Sequence, residues 1–213
     1  LWQSGRFQQA KEYLERVNCA DADPLYQPGK YWHTVWLIDF ANLYVAWQRP
    51  KEALVYCNLA LEDAQTTEHS VLLGRVLKAE GAAQLQLLQW QQSSNSLNRA
   101  LTLFRQQSAK DHECAALTQL IQLSLAMDER AKIAEYCDAL LKLLQSSTLD
   151  CTNVEPIKAW WACYLGLQAL QDERAEWAIS IAATLFQEQL AHIHEDAWRH
   201  EFSRQIVEHR QLL

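Results

Sequence analysis

The sequence predicts an all-α fold, a solenoid of antiparallel helical hairpins, and three observations predict it. Only five glycines and four prolines occur in 213 residues, too few for the many turns that a β-rich or Rossmann-type fold requires. Ala, Leu, Gln, Glu and Arg, all favourable helix formers, dominate instead. The third observation is a weak internal repeat with a period near 40, which signals stacked supersecondary units. Apolar residues make up 49% of the chain and charged residues 21%, enough for a continuous core and too structured a balance for disorder.

The second helices of the hairpins are the clearest elements. They read GRFQQAKEYLERV at Gly5–Val17, RPKEALVYCNLAL at Arg49–Leu61, QQSSNSLNRALTLF at Gln91–Phe104, DERAKIAEYCDALLKLL at Asp128–Leu144 and DERAEWAISIAATLF at Asp172–Phe186. Aligning Val17, Ala60, Ala100, Ala139 and Ala182 gives spacings of 43, 40, 39 and 43. The first helices fit the same scheme. Tyr31–Trp47 carries an aromatic stripe of Trp32, Trp36, Phe40, Tyr44 and Trp47 at helical spacing, and Val71–Leu88, His112–Met127 and Glu155–Leu170 follow. The expected units are 1–20, 29–65, 68–107, 110–146 and 154–191, forming one domain over 1–213 and closed by a capping helix at 195–212. A lone hairpin exposes an apolar face, so neighbours must stack and the last face needs a cover.

The breaks between helices are marked by helix-stopping residues. Asp21–Lys30 holds Pro24, Pro28 and Gly29. Thr66 or Thr67 is placed to cap the following helix, as is Thr152 or Asn153 before the helix near Glu155, where Pro156 suits the first turn. Asp128 and Asp172 each open a D-E-R turn and read as caps.

Several function classes are disfavoured. A net charge of −7 opposes a broad nucleic-acid surface. No apolar run approaches the roughly 18–20 residues needed to span a bilayer, so no membrane role is expected. The glycines are too scattered to cradle phosphate, and neither a G-x-S-x-G nor an H-E-x-x-H motif occurs. No enzyme and no cofactor is therefore expected. Cys19, Cys57, Cys114, Cys137, Cys151 and Cys163 form no C-x-x-C pair and read as small buried hydrophobes in a reducing cytoplasm. His192 and His194, beside Glu195 and Asp196, are a weak metal signal. Residues two apart on a helix point about 200° away from each other, so a shared site needs a non-helical joint. The chain opens at Leu1, inside a recognisable unit, and is expected to belong to a larger protein.

With Leu37, Ala41 and Tyr44 on one helix, Ala53 and Ala60 on the next, and Gly81 and Ala100 in the following unit, the chain resembles tetratricopeptide-repeat proteins. Ser93 and Lys132 stand where that family prefers alanine, and the period exceeds the usual 34 residues. This looser form is similar to the helical regions of bacterial maltose-regulator-type transcriptional activators and signalling ATPases. Phe202–Leu213 resembles the short motif that closes such arrays, with Val207 in place of the usual proline. The resemblance implies a right-handed superhelix acting as a protein- or effector-binding sensor region. It makes Ile38, Asn42, Arg75, Lys78, Trp160 and Tyr164 the groove candidates. The partner expected is a protein or peptide, with a small effector or a second copy of the chain as the alternatives.

Overall fold

A computed structural model describes residues 6–20, 29–67, 69–146, 155–196, 199–200 and 202. Among these the chain is all-α. Its helices are α1 (Phe7–Ala20), α2 (Lys30–Ala46), α3 (Pro50–Thr67), α4 (Ser70–Gln86), α5 (Trp90–Gln106), α6 (Lys110–Ala126), α7 (Arg130–Leu144), α8 (Pro156–Leu170) and α9 (Arg174–Ala191). Adjacent helices pack in pairs, as a helical repeat requires, and the residues fall into two compact units, Leu1–Leu103 and Phe104–Leu213.

The turns explain the period. Gln48, Leu88, Ser108, Asp128 and Gln171 all take a left-handed conformation, with φ between 53° and 61°. In each case the same two bonds close the preceding helix. Leu88 N–H donates to the Leu85 carbonyl at 3.0 Å and Gln89 N–H to the Gln84 carbonyl at 2.9 Å, the paired pattern of a Schellman motif. Such a turn takes three residues, and α2, α4 and α6 begin 40 residues apart at Lys30, Ser70 and Lys110.

This geometry corrects several expectations. Asp128 does not cap α7: it is the left-handed residue that ends α6, and Glu129 is the N-cap. Asp172 stands one residue before the N-cap of α9, Glu173, but its side chain still serves the first turn: Oδ1 accepts from Arg174 N–H at 2.9 Å. Thr66 and Thr67 lie inside α3, and the N-cap of α4 is His69, whose Nδ1 accepts from Leu72 N–H at 3.4 Å. With helices starting 40 apart, the buried equivalent of Ala60 and Ala100 is Leu140, not Ala139, and the equivalent of Ala53 and Ser93 is the buried Ile133, not the exposed Lys132. The residues Thr152 and Asn153, the loop 21–28 and most of the segment 195–212 lie outside the described residues.

In the first unit, aromatic rings fill the space between α1, α2 and α3. Trp36 meets Phe40 edge-on at 4.6 Å, and Phe40 and Tyr44 stack on Tyr56 at 4.9 and 5.4 Å. Tyr44 continues to Trp47, and Trp47 to Phe7, both at 6.1 Å. Trp36 Nε1–H donates to the Leu14 carbonyl at 2.9 Å, which satisfies its one polar group while tying α1 to α2. Between α4 and α5 the approach is close: a Cβ added to Gly81 would sit 2.6 Å from Leu97 Cγ. Ser93 uses that proximity, donating its hydroxyl to the Gly81 carbonyl at 2.8 Å.

The core of the second unit joins aliphatic side chains and thiols, including Leu117, Ile121, Ile133, Cys114, Cys137 and Cys163, to the buried rings of Phe104, Trp160, Trp161 and Phe186. Burial pushes the thiols of Cys57, Cys114 and Cys137 up to about 12 and raises that of Cys163 too, so these free cysteines stay protonated and act as small hydrophobes. Cys151 lies outside the described residues, and the side chain of Cys19 is not described. Arg174 pins α7 to α9, bonding Asp138 at 2.8 Å and Asp172 at 2.7 Å, and holds the Asp172 carboxyl down at about 2. Beyond α9, Phe202 stacks on Phe186 at 5.8 Å and packs with Ile157 and Ile193.

Two substitutions test this packing. Leu88 is 65% exposed, so Leu88→Gly relieves the left-handed strain without opening the core. It is expected to stabilise by about 1 kcal/mol, a Tm gain of about 2–4 °C in calorimetry. Gly166→Ala would place its Cβ 2.4 Å from Cys137 Sγ and 3.2 Å from both Ile121 and Ile133. Denaturant titration should show a loss of about 1–3 kcal/mol from overpacking.

Candidate partner-binding face

Within the first unit, α2 and α4 pack side by side, and their facing surfaces bring three of the six groove candidates into view. On α4, Arg75 and Lys78 are three residues apart and share one helix face, both half-buried. On α2, Asn42 is half-buried as well. Ile38 is not part of this surface. At 1% exposure it lies in a core cluster with Leu37, Ala41, Leu72 and Val76, because the α2 turn that carries it points between α3 and α4.

The residue missed by sequence reasoning is Asp39. It stands three positions before Asn42, a spacing that puts both on one side of α2 and that was available as a signal. Arg75 Nη2 lies 3.7 Å from Asp39 Oδ1, with the two side chains 23% and 43% exposed. Loss of solvent raises the Asp39 carboxyl above its ordinary value, and this outweighs the opposing pull of Arg75 and Lys78. The face therefore combines a carboxylate, two cations and an amide. It offers charge-assisted donors toward an acidic group and amide hydrogen bonding toward a peptide backbone.

In the second unit, Trp160 is 7% exposed and meets Trp177 edge-on at 5.0 Å, so it serves the packing of α8 on α9 instead of lining a groove. Tyr164 is half-buried, with its ring 5.1 Å from Trp161. The solvent-facing member of the Trp160–Trp177 pair is Trp177, at 40% exposure. At the end of α9, His192 is the C-cap and residues 193–195 are non-helical, yet no three His, Cys, Asp or Glu side chains converge on a metal position among the described residues. No helix among them is long and apolar enough to cross a membrane.

The balance at Asp39 has a measurable consequence. A carboxyl whose folded pKa is raised binds its proton more tightly in the native state, so ionisation costs stability as pH rises through the carboxylate range. Because the side chain is nearly half exposed, solvent screens the effect. Asp39→Asn is expected to leave stability at pH 7 unchanged or raised by less than about 1 kcal/mol, with the difference fading toward pH 3. Urea titrations at the two pH values check this, and a loss above about 2 kcal/mol at pH 7 would make the Arg75 pair a structural necessity instead.

No protein-family model matches the sequence, and no curated protein matches it. Among solved structures, the crystal structure of BtubC (BKLC) from P. vanneervenii is similar in fold. It superposes with a TM-score of 0.63 over 89% of this chain and 76% of that one, at 15% sequence identity.

Proposed function

We propose that this chain is a protein- or effector-binding helical-repeat scaffold of the tetratricopeptide-like kind, and that the α2–α4 face is where its partner docks. The observation that carries this reading is the grouping of Asp39, Asn42, Arg75 and Lys78 on neighbouring first helices, directly over an otherwise apolar core. A partner's carboxylate competes with Asp39 for Arg75, and backbone amides of an extended peptide find Asn42. The long 3.7 Å contact between Arg75 and Asp39 is weaker than a well-formed ion pair, so exchanging it for a bidentate bond to a partner gains interaction energy.

In this reading the chain is the sensor or interaction arm of a bacterial transcriptional regulator or signal-transduction protein. A ligand touching both α2 and α4 favours the packing of those helices that suits it best. The shift can be no larger than the ligand's differential affinity for the two packings.

The test is site-specific photo-crosslinking in cells, with the probe at Asn42 and, as a control, at Asn95 on the solvent face of α5. A defined adduct from position 42, weak from position 95 and lost in a folded Arg75→Glu/Lys78→Glu variant, supports the assignment. Equal adducts from both positions, or an adduct that survives the charge reversal, would falsify it.

A further inference from the structure

We infer that the outward face of α3 is a self-association surface, on which a second copy of this chain packs with its own α3 antiparallel. The inward face of this helix is Ala53, Cys57, Ala60 and Ala64, all buried. Opposite to it, Lys51, Val55, Asn58, Leu59 and Glu62 are all exposed and recur at i, i+4, i+7, i+8 and i+11, which draws a single stripe along the helix. Val55 is 57% and Leu59 47% exposed, so two large apolar side chains one turn apart face water.

The repeat itself does not ask for them. Forty residues on, α5 holds Asn95 and Arg99 at these positions, and α7 holds Glu135 and Ala139. The ordinary outer surface of a second helix here is polar or small, as solvent-facing helix surfaces generally are. Of α3, α5 and α7, α3 alone carries the apolar pair; α9, aligned through Ala182, has Trp177 and Ile181 at the same places, and there Trp177 packs edge-on against Trp160 while Val55 and Leu59 face water.

Charge identifies the occupant. Lys51 sits in the first turn of α3 and Glu62 three turns later, and a cation at a helix N-terminus opposes the helix dipole. Neither makes an ion pair among the described residues; Arg49 is paired with Glu52 and His33 with Asp63 instead. The stripe is therefore basic at one end, apolar in the middle and acidic at the other, over about 16 Å. A surface with that order is complementary to itself when reversed. A two-fold axis at its centre sets Lys51 of each copy against Glu62 of the other and joins both apolar pairs into one patch. This is the reciprocal pattern of an isologous dimer with an apolar centre and a polar rim. A single helix pair gives a small interface, so association is expected on the order of micromolar.

Sedimentation equilibrium of the full chain across micromolar concentrations tests the inference, with circular dichroism to show that each variant stays folded. Wild type should give a reversible monomer–dimer equilibrium. Leu59→Glu and Lys51→Glu should each weaken it at least about tenfold, and Lys51→Glu/Glu62→Lys should restore it to within about threefold of wild type. The Arg75→Glu/Lys78→Glu variant should dimerise like wild type, which keeps this surface separate from the α2–α4 face. A chain that is monomeric throughout, a dimer indifferent to Leu59→Glu, or a charge swap that fails to restore association would overturn it.

Discussion

Each of the first helices that pairs with a following second helix must turn back on itself within three or four residues, and the left-handed residue that achieves this governs the rest of the structure. At Gln48, Leu88, Asp128 and Gln171 the backbone reverses its φ, and that residue's own N–H and the next one fold back onto carbonyls that the helix end would leave unpaired. Because the turn consumes a fixed number of residues, helices of 17 residues at α4, α5 and α6 start and stop in step. Faces that lie inward in one hairpin lie inward in the next. The cost is a non-glycine residue in a region that disfavours side chains by about 1–2 kcal/mol each. Packing against the neighbouring helices offsets it.

Helices brought back that sharply must also fit against one another, and the sequence solves this differently in the two units. Ala53, Ala60, Ala64 and Gly81 let backbones approach in the first unit, and the wider gap beside α1 is filled by the ring series from Trp36 to Phe7. In the second unit the close approach is at Gly166, where Cys137, Ile121 and Ile133 crowd the missing Cβ. Cysteine suits that place because it is smaller than leucine and still apolar when protonated. The buried thiols of Cys57, Cys114, Cys137 and Cys163 thus serve the packing.

The all-helical class was legible because it rests on composition and helical spacing, which need no knowledge of contacts. Gly81 as a point of close approach came instead from the tetratricopeptide-like resemblance, and the contact with Leu97 bears it out. The turns were less legible. With no glycine at the left-handed positions, Asp128 reads as an N-cap from sequence, and only the backbone shows that it ends the previous helix. The alignment slipped by one residue at Ala139 and Leu140 because both are apolar and only one is fully buried. The site was least legible. α2 packs against α1, α3 and α4 at once, so apolar residues surround most of its circumference and a stripe cannot tell inside from groove. Ile38 fell on the wrong side of that ambiguity, and Asp39 was hidden beside it.

What the repeat requires and what it leaves free can be separated by comparing equivalent positions within it. A residue that recurs as small or apolar at the same place, such as Ala53, Ser93 and Ile133, answers to stacking, and its buried position confirms that. Asp39 has Ala79 forty residues later, buried and without charge, so the carboxylate is not needed for α2 to pack as a first helix. Val55 and Leu59 likewise have polar or small counterparts on α5 and α7 that leave those helices equally well formed. In a fold whose stability is close to a sum of similar units and their interfaces, departures of this kind cost solvation or strain without aiding the stack. Under the two proposals made above, contacts from outside the chain compensate for them, at two different faces of neighbouring helices in the first unit.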